Sequence, residues 1–408
     1  MGGGGLGLLP GVALVAAPSP NLPGDETAPA AVIHQWLERF GLPAARVVAK
    51  APHRPNLLVR IDGARPGPHL ALCGHLDTKP VGDAAPEWRT DPWTPTIAGD
   101  RLYGLGATDM KGAVAAMVLG GAAFAAVADR VAGSLSLVFT ADEEYGSGYG
   151  AHYLAETGAV EADAIILGEP SGIRKEWDAI RIVSRGISGF RVSVHGTQTH
   201  SSVSDTLPTV NAVEAMARLM VGLRRELRLR YPEHALCPTG PTINVGVRAS
   251  GGYGYGVLPG HAEFWSDVRT LPGMTWETFN EDVEAALARV APEIPGATFA
   301  VDYPPNLRWL ESTEVTPDHP TTVACRRAAE AVLGVSPPLS LFHGGTDAYA
   351  FHAVGGIPTL PAFGPGQLPL AHGPNEWVSV TSLGQAMRMY ALAAVEYCAL
   401  AADGGHPE

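Results

Sequence analysis

Cysteine and positive charge are both scarce in this chain of 408 residues. The four cysteines, at positions 73, 237, 325 and 398, lie far apart and form no C-x-x-C pair, which disfavours disulfide bonds and predicts buried thiols in a reducing cytosol. Lysine and arginine total 28 against 41 aspartate and glutamate residues, so the formal net charge is −13 at pH 7. Because no cluster of basic side chains is present to bind phosphates, a nucleic-acid partner is disfavoured.

Long apolar runs and export signals are also missing. No stretch reaches the roughly 18 uninterrupted apolar residues that a membrane-spanning helix needs. The apolar opening MGGGGLGLLPGVALVAAPSP lacks the positive n-region of a signal peptide, since the first lysine or arginine is Arg39. These absences predict a cytoplasmic protein without a membrane partner. The chain contains no G-x-S-x-G motif, which disfavours a serine hydrolase.

The first part of the chain alternates strands with helices. Strand-like runs are NLLVRIDG, HLALCGHLD, SLSLVFTAD and ADAIILGEP, and helix-like runs are AVIHQWLERFGL and DMKGAVAAMVLGGAAFAAVA, the second with Asp109 at its start. Continuous apolar strands that alternate with helices predict an α/β fold, with a mostly parallel sheet covered by helices on both faces. Ligands of such sheets bind beyond the carboxyl ends of the strands.

The pattern changes between residues 181 and 305. The strand-like runs FRVSVHG, PTINVGVRA, HAEFWSDVRTL and TFAVDYP combine with helix-like runs at 209–230 and 275–291 in the order β-α-β-β-α-β. This order predicts an inserted α+β domain of the ferredoxin-like type. The α/β pattern then resumes, so residues 1–180 and 306–408 are predicted to form one domain. Two domains are also what a chain of 408 residues favours, because single hydrophobic cores stop growing at shorter lengths.

Side chains that can bind metal ions recur at the ends of the apolar runs and in two later loops: His75, Asp77, Asp109, Glu143, Glu144, Glu169 and His372. Each has an ordinary alternative, such as a surface hydrogen-bonded pair, a helix cap, a solvated loop pair or a turn residue. As a set, however, two imidazoles and three carboxylates suffice to hold two divalent ions. Mixed nitrogen and oxygen ligation suits zinc, with cobalt or manganese able to substitute. A further carboxylate can then take a proton from a water held between the ions.

The motifs around these residues occur in a familiar order. GHLDTKP, GLGATDMKG, ADEEYGSG, ILGEPS, HGTQTH, GGTDA and AHGPNE together resemble the co-catalytic zinc amidohydrolase and exopeptidase family. That family includes acetylornithine deacetylase, succinyl-diaminopimelate desuccinylase, aminoacylase-1 and glutamate carboxypeptidase. The resemblance covers nearly the whole chain, from APSPN to the last helix. It implies a catalytic metal-binding domain interrupted by a smaller lid and dimerisation domain.

The resemblance also implies a role for each ligand-type residue. Asp109 matches the carboxylate that bridges the two zinc ions. His75 and Glu169 match the remaining ligands of one ion, and Glu144 and His372 those of the other. Glu143 matches the general base, and Asp77 matches a carboxylate that accepts the other ring proton of the metal-bound histidine. The histidines at 195, 343 and 352 match no ligand position, and core or surface roles are expected for them.

In relatives the inserted domain pairs two subunits and closes over the substrate, which implies a homodimer through residues 181–305. His200 matches a histidine that stabilises the oxyanion in the neighbouring subunit, and Asn244 resembles a second contributor. Arg269 is placed like an arginine that grips a substrate carboxylate. For Arg269 and Asn244, a salt bridge or a hydrogen bond at a strand edge remains the alternative. The loop containing Gly344, Gly345 and Thr346 resembles one that contacts substrate through its backbone.

Two departures from the family pattern affect the lid and the metal loop. Ala113 replaces a glycine that is common after the lysine of the D-x-K-G motif, and GVLPG lacks the acidic residue that often follows its proline. Neither removes a ligand, so a linear amide hydrolase is expected. Glu169 is typical of deacylases and desuccinylases, which favours a small N-acyl amino acid as substrate. The alternatives are a dipeptidase or carboxypeptidase with the same metals, and a metal-binding protein without catalysis, which the intact Glu143 disfavours.

Overall fold

A computed structural model of the chain describes residues 9–305 and 309–403. The residues up to Ser184 and those from Thr313 onward form one compact unit, and Arg185–Ser312 form a second. In the described part of the chain, no helix combines the length and the apolar character that a membrane crossing requires. All four cysteines are free and buried, as the sequence predicts.

The helices account for most of the predicted helical runs. They are α1 (Leu9–Val15), α2 (Thr27–Arg39), α3 (Gly112–Ala125), α4 (Ala151–Glu156), α5 (Ala212–Glu226), α6 (Trp276–Val290), α7 (Pro320–Leu333) and α8 (Val380–Asp403). The helix α3 begins at Gly112, so Asp109 precedes it and has an extended backbone with φ −123° and ψ 93°. The expectation that Asp109 starts the helix is therefore wrong, and its carboxylate is free to point away from the helix axis.

Most of the strands have five residues or fewer, as the abundance of glycine and proline favours. They are β1 (Arg46–Ala49), β2 (Pro55–Asp62), β3 (Arg65–His75), β4 (Thr96–Ala98), β5 (Arg101–Tyr103), β6 (Ala132–Thr140), β7 (Ala164–Leu167), β8 (Pro170–Gly172), β9 (Ile180–Ser184), β10 (Gly186–His195), β11 (Thr199–His200), β12 (Thr242–Gly251), β13 (Val257–Leu258), β14 (His261–Thr270), β15 (Thr298–Asp302), β16 (Thr313–Glu314), β17 (Leu339–Phe342), β18 (Thr359–Leu360), β19 (Gly364–Gln367) and β20 (Trp377–Ser379).

The central sheet of the first unit has six strands in the order β1-β2-β6-β3-β7-β18. The four strands β6, β3, β7 and β18 run parallel to one another, whereas β1 and β2 form an antiparallel edge. The α/β class is confirmed, but the sheet is mixed because the first two strands of the chain form an antiparallel pair and β2 then joins β6 in antiparallel register.

Both faces of this sheet are covered by helical segments. On one face, Ala71 and Cys73 of β3 pack in a buried cluster with Leu154 of α4 and with Phe351. Gly74 faces the other side, where a Cβ atom would meet the side chains of Met110 and Val114 at the start of α3. Because strand residues alternate between faces, an apolar run without polar breaks is required for β3 to be buried on both sides.

Strand register places the ends of three strands at one edge of the sheet. His75 at the end of β3 pairs with Thr140 at the end of β6, and Cys73 pairs with Leu167 at the end of β7. The residues that follow these ends therefore emerge close together, among them Asp77, Glu143, Glu144 and Glu169. This common edge is the feature of the fold that positions the candidate site.

The second unit contains a four-stranded antiparallel sheet in the order β12-β14-β10-β15. With α5 and α6 it follows the β-α-β-β-α-β order expected of this region. The helix α5 buries Ala212, Ala215, Leu219 and Leu223 at helical spacing, and Asn211 caps its first turn by accepting hydrogen bonds from Val213 and Glu214. The unit's predicted roles in dimerisation and lid closure stay predictions.

Close backbone approach at Gly150 gives a first testable prediction. A Cβ atom there would lie 1.7 Å from the main-chain oxygen of Ala141, at the end of β6. We expect Gly150→Ala to destabilise the fold by at least about 1–3 kcal/mol, as forced overpacking does. The control is Gly384→Ala in α8, where no atom lies within 4 Å of the added Cβ and the change should stabilise by roughly 0.5–1 kcal/mol. Urea denaturation measures both, and equal midpoints for the two variants would contradict the predicted contact.

Candidate metal centre

His75 ends the buried strand β3 and is itself fully buried. Its Nε2 atom lies 3.0 Å from Oδ1 of Asp109 and 3.8 Å from Oε1 of Glu169. Its Nδ1 atom lies 3.0 Å from the main-chain oxygen of Asp77 and 3.5 Å from the Asp77 carboxylate. One ring nitrogen thus faces two carboxylates, while the other contacts the main-chain oxygen of Asp77, just after the end of β3.

Asp109 stands between the two histidines of the predicted ligand set. Its Oδ1 atom faces His75, and its Oδ2 atom lies 3.2 Å from Nε2 of His372. The extended backbone of Asp109 is fixed by Glu376, whose carboxylate accepts hydrogen bonds from the main-chain nitrogens of Asp109, Thr108 and Gly106. A carboxylate with one oxygen toward each imidazole has the geometry that a bridging ligand requires.

His372 and Glu144 complete the second half of the cluster. Nε2 of His372 lies 3.2 Å from Oε2 of Glu144, which is buried. The backbone of His372 is left-handed, with φ 63°, in the connection between β19 and β20. Lys79 also approaches Glu144, with Nζ 3.1 Å from Oε2. The histidine is contributed by a loop that lies 228 residues after Glu144 in the chain.

The described residues contain two groups whose ligand atoms lie within 4.8 Å of one another. One group is His75, Asp109 and Glu144, and the other is His75, Glu143 and Glu169. Together with His372, these are the predicted ligands and the predicted base. The structure therefore brings together every residue of the predicted metal set.

Comparison with known proteins decides the family. Residues 71–396 match the family described as Peptidase family M20/M25/M40. The chain belongs to this family. The resemblance found in the motifs is confirmed, and the protein is a metal-dependent amidohydrolase or peptidase.

Three proteins illustrate the similarity. An acetylornithine deacetylase from Salmonella arizonae is 35% identical over 313 residues, which cover 76% of this chain and 75% of the relative. The structure of an M20 metallo-carboxypeptidase from Sulfolobus solfataricus has a TM-score of 0.76 at 20% identity, over 97% of this chain and 99% of that chain. A dinuclear metal-binding M20 peptidase from Bacillus subtilis gives 0.69 at 17% identity, over 96% and 98% of the two chains. At these identities the two structures show the fold alone.

The charges of this M20 site explain why its residues fit metal ions. Burial raises the pKa of Glu169 well above its usual value, and the neighbouring Asp109 raises it further. Burial likewise raises the pKa of Glu143, and the like charge of Glu144 adds to the effect. Buried carboxylates that lack enough hydrogen-bond donors are stable as anions only beside positive charge. Because its donors are imidazole nitrogens and carboxylate oxygens, divalent ions such as zinc fit this array.

The pKa values of the two imidazoles reflect the same excess of negative charge. Burial disfavours protonation of His372, but its hydrogen bonds to Asp109 and Glu144 outweigh burial and raise its pKa to about 11. Burial also opposes protonation of His75, and hydrogen bonds to Asp109 and Asp77 again raise its pKa well above the usual value. The carboxylates therefore attract a positive charge onto whichever group can carry it, and a divalent ion supplies more charge than a ring proton.

Asp77 makes contacts in addition to the predicted one, in which its carboxylate lies 3.5 Å from Nδ1 of His75. Its carboxylate accepts hydrogen bonds from the main-chain nitrogens of Glu143 and Glu144, at 3.1 Å each. The ring proton on Nδ1 of His75 has the main-chain oxygen of Asp77 as its nearer acceptor. Asp77 thus links the end of β3 to the turn that carries the proposed base.

The remaining predicted site residues lie elsewhere in their units. His200, Asn244 and Arg269 belong to the second unit. Nδ1 of His200 lies 2.8 Å from Oγ of Ser202, and Nε of Arg269 lies 3.1 Å from the carboxylate of Asp267, which is the ion pair left open as its alternative. Asn244 is exposed on β12. Gly344, Gly345 and the buried Thr346 follow β17 in the first unit.

Sequence reasoning missed two buried carboxylates that shape the site. Asp347 accepts hydrogen bonds from the hydroxyls of Thr140 and Ser147, and burial raises its pKa to about 6. Glu376 holds the backbone before α3, and burial raises its pKa to about 8. Both lie inside motifs that the sequence analysis singled out, GGTDA and AHGPNE. A carboxylate inside such a motif that has no ligand role was the available signal.

Metal titration tests the two-ion arrangement. Calorimetric titration of the metal-free protein with Zn²⁺ should give about two ions per chain, because Asp109 lies between two groups of donors, His75 with Glu169 and Glu144 with His372. His372→Ala removes a donor from one group only, so we expect about one ion per chain to bind tightly. The exposed His34 of α2 provides the control, and His34→Ala should leave the stoichiometry unchanged. A wild-type stoichiometry of one, or an unchanged value in His372→Ala, would argue against this ligand assignment.

Proposed function

We propose that the protein is a zinc-dependent hydrolase that cleaves the amide bond of an N-acyl amino acid, of the deacetylase or desuccinylase type. The observation that carries the proposal is the 35% identity to an acetylornithine deacetylase over 76% of the chain. Glu169 supports the same choice, since in the family that the motifs resemble a glutamate at this position is typical of deacylases. The cluster of ligand atoms around Asp109 supplies the centre that such a reaction needs.

His75, Asp109 and Glu169 would hold one ion, and Asp109, Glu144 and His372 the other. When bound to these residues, zinc would polarise the scissile carbonyl and lower the pKa of the attacking water. The protein's own groups fix the ligands in place. Glu376 holds the backbone of Asp109, and the main-chain oxygen of Asp77 orients the ring of His75.

Glu143 is the proposed general base. It is half-buried and lies three residues after the end of β6. Its carboxylate lies within 4.8 Å of the ligand atoms of His75 and Glu169. Burial raises its pKa well above the usual value, which makes its carboxylate a stronger base than an exposed glutamate. Glu143 takes the proton of the attacking water and passes it to the departing amine as the C–N bond breaks.

Substrate contacts are proposed for residues of both units. His200 would stabilise the oxyanion in the site of a partner subunit, and Asn244 would contribute beside it. Arg269 would bind a substrate carboxylate through its planar fork, in exchange for its present contact with Asp267. The backbone of Gly344, Gly345 and Thr346 would contact substrate in the first unit.

A homodimer through the second unit is part of this proposal, together with a cytoplasmic location. The strand β12 lies at the edge of its sheet, so one row of its main-chain hydrogen-bonding groups faces away from β14. Val247 on this strand is 58% exposed. Unprotected edge strands favour pairing with another chain, and a second copy would cover this one.

The second candidate function is a metallo-exopeptidase with the same ligands. The similarity in fold to the Sulfolobus solfataricus carboxypeptidase over 97% of this chain favours it. Its chemistry at the amide bond is the same, and only the group on the acyl side of that bond differs. Substrate preference therefore separates the two candidates, whereas the metal site does not.

A substrate panel tests the proposed function. The zinc-loaded protein is assayed with N-acetyl and N-succinyl amino acids and with dipeptides of the same C-terminal residues. We expect kcat/KM for the best N-acyl amino acid to exceed that for its matched dipeptide by about tenfold or more, since one well-placed contact is worth about 1.4 kcal/mol. A preference for dipeptides would establish the exopeptidase instead. Chelation should abolish either activity, and zinc should restore it.

The role of Glu143 has its own test. Glu143→Gln keeps the size of the side chain but cannot take a proton, so kcat should fall by about 10²–10⁴-fold or more. Zinc stoichiometry should stay at the wild-type value, because the predicted ligands are intact. The exposed Glu38 of α2 supplies the control, and Glu38→Gln should keep full activity. Wild-type turnover in Glu143→Gln would show that another group is the base.

A further inference from the structure

The chain before α2 runs alongside the end of β3. The Ser19 hydroxyl donates a hydrogen bond to the main-chain oxygen of Leu76 at 2.6 Å. The main-chain nitrogen of Thr78 donates to the oxygen of Ser19 at 3.0 Å, and that of Asn21 to the oxygen of Thr78 at 2.8 Å. The two main-chain bonds fix the segment against the strand end that carries His75 and Asp77, and they place the side chain of Asn21 behind the cluster of candidate ligands.

Asn21 joins two buried carboxylates. Its Nδ2 atom lies 2.8 Å from Oδ2 of Asp77 and 2.9 Å from Oδ1 of Asp142, and the residue is 3% exposed. Both neighbours are carboxylate oxygens, which accept hydrogen bonds, so chemistry requires that the amide nitrogen and not the amide oxygen faces them. Both N–H groups are therefore used, one for each carboxylate.

Asp142 is the residue at which the chain turns toward Glu143. Its backbone is left-handed, with φ 64°, a conformation that costs energy for a residue other than glycine. Its carboxylate is held by Asn21, by Arg54 at 2.8 Å and by the main-chain nitrogen of Tyr149 at 3.1 Å. After this turn, the main-chain nitrogens of Glu143 and Glu144 point back to the carboxylate of Asp77.

Arg54 supplies a positive charge beside Asp142, on the side away from Asp77. It is 4% exposed and pairs with Glu26 and Asp142, at 2.8 Å each. Asp77 has no such guanidinium partner among its hydrogen bonds in the described chain, and Asn21 is the side chain that connects it to the Arg54 pair. Without the Asn21 amide, the carboxylates of Asp77 and Asp142 would each lose a buried donor while carrying like charges.

We propose that Asn21 is a positioning residue for the proposed base. By holding Asp77 and Asp142 together, it fixes the left-handed turn and thereby the direction in which the Glu143 side chain leaves the backbone. Asn21 acts through these two residues and touches neither the ligand atoms nor the carboxylate of Glu143. The consequence for turnover rests on the function proposed for Glu143, but the consequence for the turn does not.

Three variants test this inference in the full-length, zinc-loaded protein. Asn21→Ala removes both donors, and Asn21→Asp keeps the shape while replacing the donors with a third carboxylate. The control is Ser19→Ala, because Ser19 lies in the same segment and is equally buried, but its hydroxyl contacts only a main-chain oxygen. Asn21→Ser, which keeps one donor, replaces Asn21→Ala if that variant does not fold.

The first readout is hydrogen–deuterium exchange of the peptide that covers residues 141–149. Loss of the Asn21 donors should make the amides of Glu143 and Glu144 exchange about tenfold faster or more, since they donate to Asp77 in a buried turn. Ser19→Ala should leave this peptide at the wild-type rate. Unchanged exchange in both Asn21 variants, or equal acceleration in Ser19→Ala, would overturn the inference whether or not the protein is an amide hydrolase.

The second readout is steady-state kinetics with the best substrate of the panel. Both Asn21 variants should lose about 10–100-fold in kcat, as mutation of outer partners of a metal site does, with KM within about twofold. A general loss of folding would instead lower the active fraction in step with thermal stability, which Ser19→Ala calibrates. Wild-type kcat in Asn21→Asp would overturn the positioning role even if exchange increased. A wild-type protein inactive on every amide would refute the proposed function and leave the exchange result to decide on the turn.

Discussion

The concentration of buried negative charge at one edge of the sheet is the constraint on which the site depends. Asp109, Glu144 and Glu169 are buried there beside the half-buried Glu143, and Asp77 lies directly behind them. Carboxylates in such a place must be protonated, paired with positive charge or hydrogen-bonded by donors. The fold uses a different one of these arrangements inside the cluster and around it. The carboxylates of the cluster are left for metal ions, and those around the cluster are satisfied by the protein itself.

The surrounding carboxylates are each held by donors from a different part of the chain. Glu376 receives three main-chain N–H groups from the loop before α3. Asp347 receives two hydroxyls, and Asp77 receives two main-chain N–H groups and an amide. These hydrogen bonds fix the loops around the cluster, since each carboxylate holds the groups that donate to it. The candidate ligands are therefore positioned by carboxylates that lie outside the proposed ligand set.

The sequence predicted those features that depend on short stretches of chain. An apolar run that ends in H-x-D indicates a buried strand with polar residues at its end, and the order of the motifs indicated the family. The backbone at Asp109 was predicted wrongly, because the helical pattern of small residues continues backward through DMKG although Glu376 holds that loop in another conformation. The roles of Asn21, Arg54 and Glu376 depend on partners far away in sequence, and a single chain offers no signal for such pairs.

The order of the ligands along the chain has a consequence for biosynthesis. His75, Asp109, Glu144 and Glu169 precede the second unit, whereas His372 and Glu376 follow it. Domains generally fold as units during synthesis, beginning with the N-terminal part. A nascent chain that has reached residue 312 therefore contains most of the carboxylates but lacks one imidazole and the acceptor that holds Asp109. The set of His75, Asp109 and Glu169 is thus complete before the inserted unit is made, whereas the set that includes His372 can be completed only after synthesis has passed it.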